Sequence, residues 1–294
     1  MATLQRGTLF APEIVSDLFN KVSGHSSIAR LAAQTPVAFN GNEIFTFTLD
    51  KEVDIVAENA QKTEGGMTVE STPIIPLKVE YGARVTDEFM YAAEEKQLDI
   101  LRAFNDGYAK KVARGLDIMA MHGLNPRSGA AATQTIGNNC FDLKPGVNMI
   151  TYTAADPEAN IEDAVAALGD YEATGFALSK TFAAALAKLK VNGVSQYPEF
   201  KLGANPGTLG GRVCDVNSTV SVAASGGTAD QAIVGDFANA FKWGYAKEIP
   251  FEVIPYGDPD QSGEDLKAHN QVYLRAETYI GWAILVPEAF AVIA

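Results

Sequence analysis

The stretch Asp258-Pro-Asp260-Gln-Ser262-Gly263 sets oxygen ligands at alternating positions with a glycine at the sixth, as the start of a calcium loop does. The twelfth position is His269, where such a loop needs a bidentate glutamate, so the stretch reads as a solvated acidic loop. His25, His122 and His269 are scattered, and none has a second histidine or a cysteine at ligand spacing, so no metal is expected. His122 falls at the end of a helical pattern, where a cation complements the helix dipole; capping is its expected role. Gly203–Gly211 is rich in glycine, but its spacing fits neither nucleotide pattern and reads as a surface turn. A phosphate loop, a serine elbow, a zinc pair and a dinucleotide fingerprint are all missing. Cys140 and Cys214 are the only cysteines; one pair makes no framework, so both are expected buried and reduced. These residues name no enzyme and no cofactor.

The elements that must position these residues come from an ordinary globular mixture: 294 residues, 47% hydrophobic and 20% charged, enough for one large domain or two smaller ones. The longest apolar runs, such as Trp282–Val286, fall far short of the roughly 20 residues that cross a bilayer. The start, Met1-Ala-Thr-Leu-Gln-Arg-Gly7, lacks the features of a secretory signal, which predicts a protein made and used in a cytosol. Acidic residues outnumber basic ones by 36 to 23, a formal charge of −13. The densest basic stretch is Lys110-Lys111 with Arg114, on a helix. Gripping nucleic acid needs clustered Lys and Arg, so sequence-specific binding is not expected. An acidic protein can nonetheless enclose DNA, because repulsion keeps the two from sticking.

Along the chain, one helix is expected near Pro12–Val22, followed by an extended arm. Phe45, Phe47 and Leu49 alternate with Thr46 and Thr48, and Ile75, Leu77, Val79 and Tyr81 alternate in the same way, which predicts a long hairpin. Its connector, Lys51–Thr72, is charged, with Gly65-Gly66 placed to turn the chain, and has too little apolar content to fold on itself. Another subunit is its expected partner. Thr86 can cap a short helix. A long one spans Gln97–His122, with Leu98, Leu101, Phe104, Tyr108, Val112, Leu116 and Met119 in one buried stripe. Gly107 and Gly115 inside it suggest the close approach of another backbone. Asn160 is expected to cap a helix to Tyr171, and Ser179 another through Leu189. Strands are expected at Gly175–Leu178, Arg212–Val216, Ala232–Gly235, Pro250–Tyr256 and Val272–Val286, with Phe290–Ile293 after Pro287. Helices and strands mix without strict alternation, which is the α+β class.

Taken in order, these segments resemble the major capsid proteins of tailed phages, the Hong Kong 97-like fold family shared with encapsulins. The resemblance rests on Ala120-Met-His-Gly123 closing the long helix, Gly175-Phe-Ala-Leu-Ser179 through Leu186-Ala-Lys-Leu-Lys190, and Ile233-Val-Gly-Asp-Phe237. Leu274-Arg-Ala-Glu277 and Val286-Pro-Glu-Ala-Phe290 resemble the family's closing signature. It implies an N-terminal arm (1–40), an extended loop (41–85), a peripheral domain (86–155) carrying the spine helix 97–122, an axial domain (156–256) and returning C-terminal strands (257–294). It further implies pentamers and hexamers in an icosahedral shell around double-stranded DNA, assembled in the bacterial host cytoplasm. The partners it implies are a portal, a decoration protein and, if Met1 is the initiator, a separate scaffolding protein or none.

Some members of that family lock the shell covalently, a loop lysine attacking an asparagine while a glutamate takes the proton. Aligning the closing signature on Pro287 places Asn270 and Glu277 at the asparagine and glutamate positions, and aligning Val56-Ala-Glu58 places Lys62 at the lysine. The plainer reading makes Lys62 a solvated loop charge, Asn270 a turn residue, and Glu277 a partner of Arg275 or Arg84. Two other functions stay open on the residues: an encapsulin shell, or a soluble α+β enzyme with Asp258 and Asp260 as metal ligands.

Overall fold

The computed structural model describes residues 26–87, 94–223 and 229–294, without the side chains of 94–100 and 247–250. The helix expected near Pro12–Val22, most of the short one after Thr86, and His25 lie outside the described residues. The described chain opens not on an extended arm but on a short helix, α1 (Ser27–Leu31), capped by Ser26, whose Oγ accepts from the Ala29 amide at 3.1 Å. Extended chain follows it, and the Thr35 amide donates to the Trp243 carbonyl at 2.8 Å.

The predicted hairpin forms with a different return strand. β1 (Asn42–Leu49) pairs antiparallel with β2 (Met67–Ile74), Leu49 opposite Met67, so the connector is 50–66. The alternating run from Ile75 belongs mostly to β3 (Leu77–Thr86), which Pro76 separates from β2 because proline has no amide hydrogen for a ladder. Thr86 ends that strand opposite Gln271.

α2 (Glu94–His122) starts three residues before the expected Gln97 and runs 29 residues, roughly 44 Å. Leu101, Tyr108, Val112, Leu116 and Met119 are buried as the stripe requires, and Phe104 is half-buried. From Gly115 onward the helix is buried on every side. It ends at Gly123, whose φ of +64° suits a residue without a side chain and whose amide donates to Met119 O at 3.0 Å. Gly107 and Gly115 do not mark a backbone contact: Gly107 faces open space, and the atom nearest a Cβ on Gly115 belongs to the Pro126 side chain.

After α3 (Thr133–Ile136) and β4 (Asn148–Ile150) comes α4 (Pro157–Ala166). Its cap is Asp156, not Asn160: Asp156 Oδ1 accepts from the Ala159 amide at 3.2 Å, and Pro157 opens the first turn. Asn160 sits one turn in, holding the Thr153 backbone at both its amide and its carbonyl. β5 (Gly175–Leu178) then leads into α5 (Lys180–Lys188), which Ser179 caps as expected. The remaining strands are β6 (Lys190–Val191), β7 (Val194–Ser195), β8 (Thr208–Leu209), β9 (Arg212–Val216), β10 (Ala232–Gly235), β11 (Phe241–Ile254), β12 (Gln271–Ile284) and β13 (Phe290–Ile293). β11 begins nine residues before the expected Pro250, and the alternation of Phe241, Trp243 and Tyr245 carries the missed signal. Gly210 and Gly211, both at positive φ, turn β8 into β9, the surface turn read from the glycines.

Six strands form one mixed sheet in the order β4-β13-β10-β5-β9-β8, and β11-β12-β3 form an antiparallel sheet of three. β12 and β13 carry the chain from the second sheet to the first. The main core gathers Trp243, Trp282, Phe141, Phe237, Phe241 and Phe290 against the buried end of α2. Phe141 and Phe290 meet at 4.9 Å between ring centroids. A second cluster, with Phe176, Phe182, Leu186 and Phe200, lies between the six-stranded sheet and α4 and α5.

Two glycines give opposite expectations. A Cβ on Gly244 would lie 1.8 Å from the Thr35 carbonyl oxygen, so Gly244→Ala should cost roughly 1–3 kcal/mol in urea unfolding of the dispersed subunit. Gly107→Ala, facing open space on a helix, should gain about 0.5–1 kcal/mol in the same measurement.

Candidate assembly surface and the groups that anchor it

The β1–β2 hairpin sorts its side chains by strand parity. Phe45, Phe47, Leu49, Met67 and Val69 share one face, and Thr46, Thr48, Thr68, Glu70 and Thr72 share the other. The apolar face is uncovered: Phe45 is 67% exposed and Leu49 66%. A two-stranded ribbon with a bare apolar face lacks the layer that would stabilise it. Its connector is exposed throughout 51–65, with Val53 and Ile55 almost fully so. Segment 50–66 carries five carboxylates and two lysines. The one strongly basic surface seen in the sequence lies elsewhere: Lys110, Lys111 and Arg114 stand exposed along α2 beside Ala103 and Gly107.

Two polar clamps hold distant segments of the chain together. Arg84, near the end of β3, reaches into the 258–264 loop. Its Nη2 donates to Asp258 Oδ1 at 2.8 Å, to the Glu264 carbonyl at 2.9 Å and to the Ser262 hydroxyl, and its Nε donates to Asp260 Oδ2 at 2.9 Å. The loop is exposed, as the solvated acidic reading expected, and the guanidinium is what its carboxylates gather around. That contact holds the Asp260 carboxyl well below the usual carboxylate range. Asp258 and Asp260 are thereby engaged, which removes the ligand pair on which the enzyme reading depended.

The second clamp is Asp117, fully buried on α2. Its oxygens accept from the hydroxyls of Ser26 and Thr219, from the amides of Ser27 at 3.0 Å and Ile28 at 3.2 Å, and from Asn217 Nδ2 at 3.3 Å. These donors tie the start of α1 and the 217–219 loop to the helix. Asp215 extends the tie, accepting from Ser27 Oγ at 2.6 Å and Arg30 Nη1 at 2.8 Å. Burial pushes the Asp117 carboxyl up to about 6, against the downward pull of its donors.

His122 is not a simple helix cap. Its Nε2 lies 2.9 Å from the Thr219 carbonyl, and its Nδ1 lies 2.9 Å from Asp142 Oδ2 and 3.1 Å from Asp230 Oδ2. Burial alone would pull the imidazolium down, but the two carboxylates outweigh it and hold His122 at about 10. Burial pushes Asp230 up to about 7, with His122 pulling the other way. Cys140 and Cys214 are free and buried, and burial pushes their thiols up to about 11 and about 12, so both stay protonated.

The three crosslink candidates stand apart. Lys62 is exposed on the hairpin connector, and Asn270 is exposed in a left-handed turn, φ 53°, just before β12. Glu277 is buried in β12, seven strand positions beyond Asn270 or roughly 23 Å along the strand, so one chain cannot bring the two together. Glu277 pairs with Lys78 Nζ at 2.7 Å and Arg275 Nε at 3.3 Å, and not with Arg84. The Glu277 hydrogen bond is the main reason Lys78 is raised above its usual value.

Asp117 has a testable pH signature. Its folded pKa lies above the unfolded value, so between about pH 4 and pH 6 the folded chain keeps a proton that the unfolded chain has lost. Its contribution to stability should therefore fall as pH rises through that window, by roughly 3 kcal/mol in all, and level off above it. Denaturant unfolding of the wild type and of Asp117→Asn across pH 4–7 checks this; the variant should lack that part of the slope.

The comparisons with known proteins point the same way as this geometry. Residues 6–294 match the phage capsid family. A chain from Mycobacterium phage Ogopogo is 32% identical, with a TM-score of 0.76 over 92% of this chain and 91% of that one. A chain from Gordonia phage Cozz, 24% identical, shares the fold with a TM-score of 0.73 over 92% of this chain and 86% of that one. The capsid of a native GTA particle, 14% identical, does so at 0.62 over 100% and 92%. No curated protein is similar in sequence. With a family match over nearly its whole length and a relative of like fold above 30% identity, the chain belongs to the phage capsid family.

Proposed function

We propose that this chain, a major capsid protein of a tailed phage, assembles as pentamers and hexamers into an icosahedral shell around double-stranded DNA, in the host cytoplasm. The observation that carries the reading is the uncovered hairpin, an apolar ribbon with an acidic tip that has no partner within the described chain. Its occupant is a second copy. The acidic connector suits the basic face of α2 on a neighbour, where Gly107 leaves room for close approach. Each apolar side chain covered there contributes at most about 1.5–3 kcal/mol, from which the cost of association is subtracted. Many such modest contacts, repeated by symmetry, hold a closed shell. The negative charge of the chain keeps packaged DNA from adhering to it. A portal, a separate scaffolding protein and a decoration protein complete the proposal, as does the division into arm (1–40), extended loop (41–85), peripheral domain (86–155), axial domain (156–256) and returning strands (257–294).

The proposed shell is held without covalent crosslinks. The acceptor that a Lys62–Asn270 isopeptide bond would need, Glu277, is neutralised by Lys78 and Arg275 on its own chain rather than left in an apolar pocket. Boiled in detergent and run on a denaturing gel, shells should give a monomer band alone; a ladder that disappears in Lys62→Ala would establish the crosslink instead.

Electron microscopy and sedimentation of the protein, expressed with the candidate scaffolding protein, test assembly. Wild type should give closed shells, tubes or free capsomers. A Phe45→Ser, Phe47→Ser double variant should stay dispersed while keeping its unfolding transition. Lys110→Glu with Lys111→Glu should also suppress assembly, most strongly at low salt, because exposed charges separated by more than about 8–10 Å are screened at physiological salt. A wild-type protein that stays small with scaffolding supplied would overturn the reading.

A further inference from the structure

We propose that His122, Asp142 and Asp230 form a structural site for one divalent first-row transition ion, zinc foremost, at the buried end of α2. The three residues are far apart in sequence, yet one ligand atom from each lies within 4.8 Å of the others. They come from the last turn of α2, the turn after Cys140, and the segment that enters β10.

The hydrogen-bond count around the imidazole points to a cation. The Thr219 carbonyl at Nε2 can only accept, so Nε2 carries a hydrogen, and this fixes the ring with Nδ1 facing the two carboxylates. A metal-binding histidine is held in the same way, its second nitrogen donating to a backbone carbonyl. A single hydrogen on Nδ1 can make one good hydrogen bond, and Asp142 Oδ2 lies nearer, at 2.9 Å. Asp230 is 4% exposed, and its Oδ2, 3.1 Å from Nδ1, has no hydrogen bond; Asp142 Oδ1 is likewise buried without one. Two carboxylate oxygens thus converge on one nitrogen whose single hydrogen satisfies one of them, and the imidazolium's one charge faces two carboxylates, which a divalent ion would balance.

A metal ion in the place of the Nδ1 hydrogen would satisfy all three groups at once. Zinc–nitrogen and zinc–oxygen bonds of about 2.0–2.2 Å set ligand atoms about 3.4 Å apart in a tetrahedron, so the two nitrogen–oxygen pairs, at 2.9 and 3.1 Å, would open by a few tenths of an ångström. Asp142 Oδ1 or a water would take the fourth position. An imidazole with two carboxylates suits zinc or cobalt better than calcium or magnesium, which take oxygen ligands. Bound there, the ion would pin the end of the long helix to the segment entering the six-stranded sheet.

The test uses full-length, tag-free protein stripped with EDTA, with zinc uptake measured by equilibrium dialysis and elemental analysis. The wild type should take up one zinc per subunit and unfold at a higher temperature with it. Asp230→Asn gives up the ion pair to His122, so it should unfold at a lower temperature than the wild type in EDTA, and it should bind zinc at least tenfold more weakly. Asp258→Asn, in the loop that Arg84 closes, should bind zinc as the wild type does. Failure of the stripped wild type to take up zinc, or equal affinity in Asp230→Asn, would overturn the site. Should Asp230→Asn not fold, cobalt bound to the wild type decides: visible bands of a four-coordinate nitrogen–oxygen site support the proposal, and their absence sinks it.

Discussion

A carboxylate with no water around it must be supplied with donors, and much of this structure is arranged to supply them to Asp117. Its oxygens draw in the first turn of α1 and the 217–219 loop, two segments nearly two hundred residues apart in the chain. Five residues further along α2, His122 gathers the Thr219 carbonyl, Asp142 and Asp230. The last two turns of the helix are therefore gripped by polar contacts as well as by the aromatic core around Phe141, Trp243 and Trp282. Removing one partner from such a network leaves others unsatisfied in a dry interior, which costs more than any single contact contributes.

That rigid end contrasts with what projects from it. The β1–β2 hairpin keeps its ladder, yet its phenylalanines face outward and its connector touches little else. A subunit built to join others needs both properties: a frame that does not yield, and an arm whose apolar face is completed only by a neighbour. The Arg84 clamp lies toward the end of β3 away from the hairpin, fixing the 258–264 loop to that strand near the place where β12 begins. Charge follows the same division, with carboxylates concentrated on the arm's tip and lysines on the outer face of α2.

Close approach of backbones is the second constraint. Gly244 admits the Thr35 carbonyl, which lets the segment after α1 lie along β11 and lets the Trp243 indole donate to Ala32 O at 2.9 Å. The glycines inside α2 that suggested such contacts make none with the backbone of the described residues. A glycine in a sequence says that a side chain is absent, and only the packed neighbours say why.

The sequence by itself determined the elements whose cause is local. The stripe from Leu101 to Met119 required one long helix, Ser179 its cap, the alternation in β12 a strand, and Pro287 its end. The order of these segments was enough to suggest the family. Tertiary structure alone decided which strands pair, since β1 and β3 show the same period of two and nothing local says that β1 takes β2 while β3 takes β12. It also decided the fate of the charges. The acidic loop read as a plain solvated stretch, and only the fold brings Arg84, 174 positions away from Asp258, to its carboxylates. His122, Asp142 and Asp230 look unrelated until the fold brings them within 4.8 Å. Periodicity and capping act over a few residues and are written in order along the chain. A buried ionic contact depends on which distant segments share one dry volume, and only the folded chain specifies that.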